Sequence, residues 1–443
     1  MAVTGPTDFS PSMIKNLSMD KYISLGAYIN EINKPDNRDA LVKTFGEQGI
    51  TGFLQLVGAT KAQAVADEVT YWEETRLHAK QTGSFSADDT FSAASAAAVI
   101  VRVNDVVLVG GETRAFVSAV SGADITLVAL DGSTLASALT DTALPVIGNL
   151  YAQGTEQPGG GFESNVVKRT NPFMIMKEAY KVSGSQATNI GWVNLGNGDY
   201  RWFMKGEMDT RQRFMDKREL MMLLGQKVTA TAGISSASIS GSEGYFEAVQ
   251  NRGLVAGGRI TDFAGLDDVV KELDRQGAGP EYAMYVDRGQ DLAIDDMIAS
   301  GLGSSLTSGV ATQFGAFNNS ADMAIALGFK SFSRGGYTFH KHSWKLLNDP
   351  TQLGIVNGAT ELSPYAGVMI PLSTVVDAKT GDRNPSLEIN YKASNGYSRE
   401  MEHWLTGSVL GANNATADLT QFNYRSEVAL VTRAANRHVV ITK

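Results

Sequence analysis

An α+β protein carrying a separate all-β module is the fold class this sequence predicts, and three observations predict it. One stretch consists of apolar runs broken by turn dipeptides. A helical run much longer than any other follows it. Beyond that, helix and strand patterns alternate. With 443 residues the chain has room for about three units of 100–200 residues each, and ample length to bury a core.

The all-β module occupies residues 82–161. The runs AAVIVRV, DVVLVGG, RAFVSAV and ADITLVAL succeed one another, split by Asn104-Asp105, Gly110-Gly111, Ser121-Gly122 and Asp131-Gly132. Such spacing with such dipeptides signals consecutive hairpins, here a small antiparallel barrel or sandwich. From Thr82 to Gly160 there is no lysine, and eight acids face two bases, so this stretch holds -6 of the chain's -9. It closes on Gln157-Pro158-Gly159-Gly160-Gly161, and its own charge and linker mark it as an insertion. On either side, Val69–Leu77 and Thr170–Ser185 read as extended. Their pairing would make a long hairpin with the module at its tip.

The long helix is expected over Asp199–Leu224, with Asp199 as N-cap and Gly225 as the stop. At 1.5 Å per residue it spans roughly 40 Å. Met204, Met208, Met215 and Met222 keep helical spacing and read most simply as core. Six bases and four acids between Arg201 and Glu219 give it a mixed outer face. Gly206 weakens it slightly.

After the link Ser235–Gly244, the α/β pattern begins. Phe263, Leu266, Val270 and Leu273 form a helix ending at Gly277, and Tyr282–Val286 a strand. Asp287-x-x-Gln290 resembles a capping box opening a helix that stops near Gly301. Strands follow at Phe329–Phe332, Tyr337–Trp344 and Val368–Val376. The closing strands, through Ser426–Val431 and Val439–Ile441, are expected to complete the sheet under the long helix. At the other end, residues 1–36 are polar and broken by prolines, too poor in apolar surface to fold alone. A helix over Asp36–Gly46 and a strand over Thr51–Val57 come next.

Composition excludes several functions. Without cysteine there is no thiolate metal site, disulfide scaffold or cysteine nucleophile. The acidic balance disfavours tight, direct nucleic-acid binding. No run approaches the roughly 20 apolar residues of a membrane helix, and no signal peptide is expected at the N-terminus.

Candidate chemistry is sparse. The glycine-rich Ser300–Gly309 is read as a mobile loop rather than a phosphate cradle, since no strong strand leads into it. His340 and His342 share a strand face with Trp344 and could begin a metal site, but no third ligand is near in sequence. Asp287, Asp291 and Asp295 form one acidic helix stripe. A solvated face, or one meeting a partner's basic patch, is the simpler reading beside catalytic or cation-binding use. Arg211, Arg213, Lys217 and Arg218 could touch phosphates, yet Asp209, Asp216 and Glu219 beside them favour ion pairing. The sequence therefore assigns no catalytic, cofactor-binding or metal-binding residue and expects no cofactor.

The order of parts resembles the major capsid proteins of tailed bacteriophages with the Hong-Kong-97-type fold. TNPFMIMKEAYKVSGS looks like the return strand of the E-loop, and DYRWFMKGEMDTRQRFMDKRELMMLLG like the spine helix. YAMYVDRGQDLAIDDMI looks like the strand-to-helix step of the A-domain, and GFKSFSRGGYTFHKHSWKLLND like its later hairpin. SEVALVTRAANRHVVITK looks like the final return to the P-domain. The resemblance implies an N-terminal arm (1–36), the start of the P-domain (37–65), and an E-loop (66–81 and 162–196) carrying the inserted β-domain (82–161). The spine helix and P-domain (197–244), an A-domain (245–375) and the P-domain's C-terminal strands (376–443) complete it. It further implies a non-enzymatic shell subunit, a homo-oligomer of hexamers and pentamers that encloses double-stranded DNA without sequence-specific binding and without a membrane. Scaffold, portal and decoration proteins would be further partners, and the virion capsid, assembled in the bacterial host cytoplasm, its location. Two other readings stand beside it: a secreted or surface-layer β-rich structural protein, and a metal-dependent α/β enzyme using His340 and His342 or the aspartate stripe.

Overall fold

The computed structural model describes residues 60–63, 66–87, 89–135, 143–159, 166–188, 202–228, 239–306, 330–349, 351–353, 355–356, 360–361, 363–376, 381, 383–394, 396–410 and 414–443. The expected arm, the helix over 36–46, the strand over 51–57 and the Asp199 cap lie outside these residues. Helices are α1 (Gly184–Thr188), α2 (Trp202–Leu224), α3 (Tyr245–Arg252), α4 (Phe263–Arg275) and α5 (Arg288–Leu306).

The all-β module is a seven-stranded antiparallel sheet. Its spatial order runs 80–82, 143–149, 105–109, 113–121, 124–129, 90–92, 84–87. The first and last of these strands are consecutive in the chain, so the sheet curls back on itself as a small barrel. Its core is Phe91, Val107, Val117, Ile125, Leu127 and Leu144 with their neighbours. The expected turns are in place. Gly110 and Gly111 both have positive φ between strands 105–109 and 113–121, a conformation that glycine adopts without steric cost. AAVIVRV, expected as a strand, is instead a short 3-10 turn (Ala96–Ala98) and an irregular run. The fully buried Gln81 supplies the reason. Its Oε1 accepts the Ile100 N–H at 2.8 Å and its Nε2 donates to the Ala98 carbonyl at 3.3 Å, so a side chain replaces the ladder there.

Below the barrel, strand Glu68–Glu74 pairs antiparallel with Val166–Pro172 over seven residues. The long hairpin thus forms, but from a different part of its second arm. Phe173 divides the segment expected to pair: it is buried and its N–H bonds the Asp67 carbonyl. The remainder, Met174–Ser183, leaves the hairpin and pairs antiparallel with Leu419–Thr432.

Leu419–Thr432, far longer than the expected Ser426–Val431, is the central strand of a platform sheet. Met174–Ser183 lies on one side of it. Glu402–Gly407 and Leu387–Ser394 share the other, and Thr60–Gln63 pairs parallel with the latter. Helix α2 crosses this sheet. Phe214 is buried with its ring 6.0 Å from Tyr424, and the Tyr424 hydroxyl donates to Glu207 at 2.5 Å. Gly206 makes the crossing close, because a Cβ there would lie 2.4 Å from the Tyr180 hydroxyl oxygen.

A second sheet runs 254–256, 439–442, 365–371, 281–286, 337–343, 331–334. Val439–Thr442 was expected under the long helix and belongs here instead. Val439, Val440 and Ile441 are all buried, and such an unbroken apolar run suits a strand covered on both faces. The α4 helix begins at Asp262, whose carboxylate accepts the Gly265 N–H, and ends before Gly277 as expected. One core joins the two sheets. Met222 and Leu223 of α2, Tyr245, Phe246 and Val249 of α3, and Val428, Leu430, Val368 and Val440 from the strands meet in it.

Candidate assembly interface

The hairpin has an inner and an outer face because alternate strand residues point opposite ways. On the inner face, Val69, Tyr71 and Phe173 pack on Ala429 and Val431 of the platform. Asn171, also buried, clamps three backbone groups. Its Nδ2 donates to the carbonyls of Leu430 (2.6 Å) and Glu243 (3.1 Å), and its Oδ1 accepts the Glu243 N–H (2.7 Å). Beside it Arg252 of α3 is a hub. It donates to Glu243 at 2.7 Å and to the Tyr71 hydroxyl at 3.2 Å, and lies 3.8 Å from Glu73, which Arg169 also pairs at 3.1 Å. Burial raises the Glu243 carboxyl above its usual range and pushes the Tyr71 hydroxyl up. On the outer face stand Trp72, 64% exposed, its cross-strand partner Lys168, and Val166, 52% exposed. The hairpin is a two-stranded sheet with no further strand on either edge among the described residues.

Helix α2 also leaves apolar surface in water. Met222 is buried, as expected for a core residue, but Met208 is 62% exposed and Met204 is half-exposed. Those two methionines are corrected: they share the face turned away from Phe214 and the platform. Two of the basic residues expected to pair with the helix's own acids reach acids outside it. Lys217 bonds Glu178, Arg218 lies 3.8 Å from Glu400, and Arg213 donates to the Asp209 carbonyl.

The sequence's other candidates come together differently. The aspartate stripe does not face solvent. Asp287, Asp291 and Asp295 are all buried against bases of their own chain. Arg259 grips Asp287 through two bonds of 2.7 and 2.8 Å. Lys341, buried on strand 337–343, lies 2.7 Å from Asp291 and 2.5 Å from Asp295. Half of the expected capping box is present. The Gln290 N–H bonds Asp287, while the Gln290 side chain turns to the backbone of Ile260. Helix α5 does not stop near Gly301 but continues to Leu306, so residues 300–306 are helix and not loop. His340 and His342 flank Lys341 on the opposite strand face. His342 is exposed and stacks on Tyr285, whereas Trp344 lies past the strand's end and is buried. Among the described residues no group of three or more His, Asp or Glu is placed to hold a metal ion. No described helix is long and apolar enough to cross a membrane.

Sequence reasoning missed Asn171, Arg252, Glu243 and Lys341. Asn171 stood inside a quoted motif, and Asn-Pro before a strand could have flagged a side chain that bonds backbone. Nothing local marked the other three.

An α+β chain with a barrel on a two-stranded stem, a platform crossed by a long helix and a second, mixed sheet is the class these elements define. No family model matches the chain, and no curated protein does. Solved structures similar to it include several from phages. One from Gordonia phage Cozz is 10% identical, with 95% of each chain covered and a TM-score of 0.44. The capsid structure of the cyanophage P-SCSP1u is 8% identical, with 91% of this chain and 93% of that one covered, at 0.40. The mature capsid of bacteriophage PhiM1 is likewise 8% identical, with 92% and 90% covered, at 0.40.

Proposed function

We propose that this chain is the major capsid protein of a tailed bacteriophage, assembling as hexamers and pentamers into an icosahedral shell around double-stranded DNA. The observation that carries the reading is the surface left uncovered. A two-stranded stem with open edges bears an exposed tryptophan, and a 23-residue helix presents methionines to water on the side away from its sheet. Parts of this kind find partners on identical copies.

In this reading the chain divides as its resemblance implies, into N-arm, E-loop with inserted barrel, P-domain and A-domain, within the boundaries given above. The second sheet, with α4 and α5, serves as the A-domain that closes around the symmetry axes. The platform and α2 serve as the P-domain at local threefolds. The hairpin lies across a neighbouring copy with the arm laced beneath it. The strain of shell expansion as DNA is packed would fall on the hairpin and on α2 near Gly206. DNA is held by enclosure, which suits an acidic chain. The barrel's net negative charge favours an outward position, away from phosphate. Scaffold, portal and decoration proteins would complete the virion, built in the host cytoplasm.

Electron microscopy of the expressed protein, alone and with candidate scaffolds, tests this. Closed shells of uniform size are expected. Persistent monomers in a native virus lysate would contradict it.

A further inference from the structure

The chain passes directly from the platform into the second sheet through residues 433–438, which belong to no strand. Within that crossover Ala434 has φ 49° and ψ 49°. A residue with a Cβ enters this left-handed region only at a cost, because the Cβ crowds the neighbouring backbone. An alanine side chain offers no hydrogen bond in compensation, so the conformation persists only where the surroundings enforce it.

The hairpin holds one end of the crossover. Tyr71 and Glu73 stand two apart on strand Glu68–Glu74, so both belong to its inner face. The Tyr71 hydroxyl donates to the Thr432 carbonyl at 3.1 Å, and Glu73 Oε1 accepts the Ala434 N–H at 3.2 Å. Glu73 is itself fixed from two sides, by Arg169 of the paired strand at 3.1 Å and by Arg252 of α3 at 3.8 Å. The second sheet holds the other end. The Tyr282 hydroxyl donates to the Arg437 carbonyl at 2.9 Å, and the Leu254 N–H donates to the His438 carbonyl at 3.0 Å. Ala434 lies between these two grips, and its N–H is held from the hairpin side.

We propose that Glu73 is a latch that couples the hairpin to the joint between the two sheets. With the hairpin seated, its carboxylate holds the Ala434 N–H and keeps the crossover in its left-handed turn. When the hairpin lifts, that bond and the one from Tyr71 are lost together. Ala434 then relaxes towards the right-handed or extended region, and the second sheet is freed to swing against the platform. The inference concerns the single chain and stands whether or not the shell reading does. In a shell, a neighbour that displaced one hairpin would loosen the sheet joint of the same subunit.

Amide hydrogen exchange on the unassembled full-length chain, read by mass spectrometry, tests the latch. Glu73→Ala should quicken exchange about fivefold, the loss expected for one hydrogen bond. The change should reach beyond the hairpin strands into residues 433–438 and strand Val439–Thr442. Adding Ala434→Gly, which removes the cost of the left-handed turn, should return 433–442 to within about twofold of the unaltered chain while the hairpin stays fast. Asn171→Ala repeats the test without touching Glu73 or its arginines, and serves where Glu73→Ala leaves too little folded chain. Alone it should quicken both regions, and with Ala434→Gly only the hairpin. Quickening confined to the hairpin in the single variants overturns the coupling. Quickening of both regions that Ala434→Gly leaves in place is a general loosening, and overturns the latch as well.

Discussion

Replacing Asn171 by alanine should detach the hairpin from the body while leaving barrel and platform folded. The side chain is 1% exposed and makes three hydrogen bonds to backbone, one to Leu430 and two to Glu243. A hydrogen bond contributes about 1 kcal/mol net, and a buried group left without its partner costs at least as much. The loss is therefore about 3 kcal/mol, concentrated where Glu68–Glu74 and Val166–Pro172 meet the platform. At about 1.4 kcal/mol per factor of ten, opening becomes roughly a hundred-fold more frequent. Amide hydrogen exchange on the unassembled chain, read by mass spectrometry, resolves this by segment. Exchange should quicken across the two hairpin strands and stay unchanged at strands 105–109 and 113–121 of the barrel. Less than a threefold change in the hairpin would refute the clamp, because those three bonds would then hold nothing that the remaining contacts do not.

Phe214→Ala removes the ring that seats α2 on Tyr424 and should cost about 3–5 kcal/mol in urea denaturation. Lys341→Met leaves Asp291 and Asp295 buried without their shared cation. It should cost about 3–5 kcal/mol in the same assay. His438 gives a pH dependence of defined sign. Burial lowers it from 6.5 to about 3, so the unfolded chain takes up a proton below pH 6.5 and the folded chain does not until about pH 3. Its contribution is present above pH 6.5 and is lost progressively as pH falls towards 3, roughly 5 kcal/mol in all at 1.36 kcal/mol per pH unit. The urea midpoint of His438→Gln should fall less steeply across that window; an unaltered slope would place the proton uptake elsewhere.

What could be read from the sequence and what could not divides along a physical line. The barrel's turns at Gly110-Gly111 and Ser121-Gly122 were legible because turn chemistry is local: a positive φ needs glycine wherever the chain later goes. The α4 helix was legible from its own spacing and cap. Choice of strand partner is not local, and there the reading failed. Val439–Ile441 joined the second sheet, and Met174–Ser183 left the hairpin for Leu419–Thr432. Apolar alternation says that a strand is covered and leaves open what covers it. The aspartate stripe shows the same limit in charge. Spacing placed Asp287, Asp291 and Asp295 on one face, but Lys341, which turns that face inward, lies some 50 residues away. Met208 failed for a related reason. Helical spacing cannot tell a face that meets the chain's own core from one kept for another molecule. At the candidate interface, Asn171 and Arg252 became visible only once hairpin and α3 were brought together.

The most direct test is a cryo-electron microscopy reconstruction of particles purified from cells making this chain. A closed shell is predicted, with each hairpin lying on a neighbouring copy and both Trp72 and Met208 covered by another subunit. A self-sufficient monomer at every concentration, with those side chains still in water, would contradict the account.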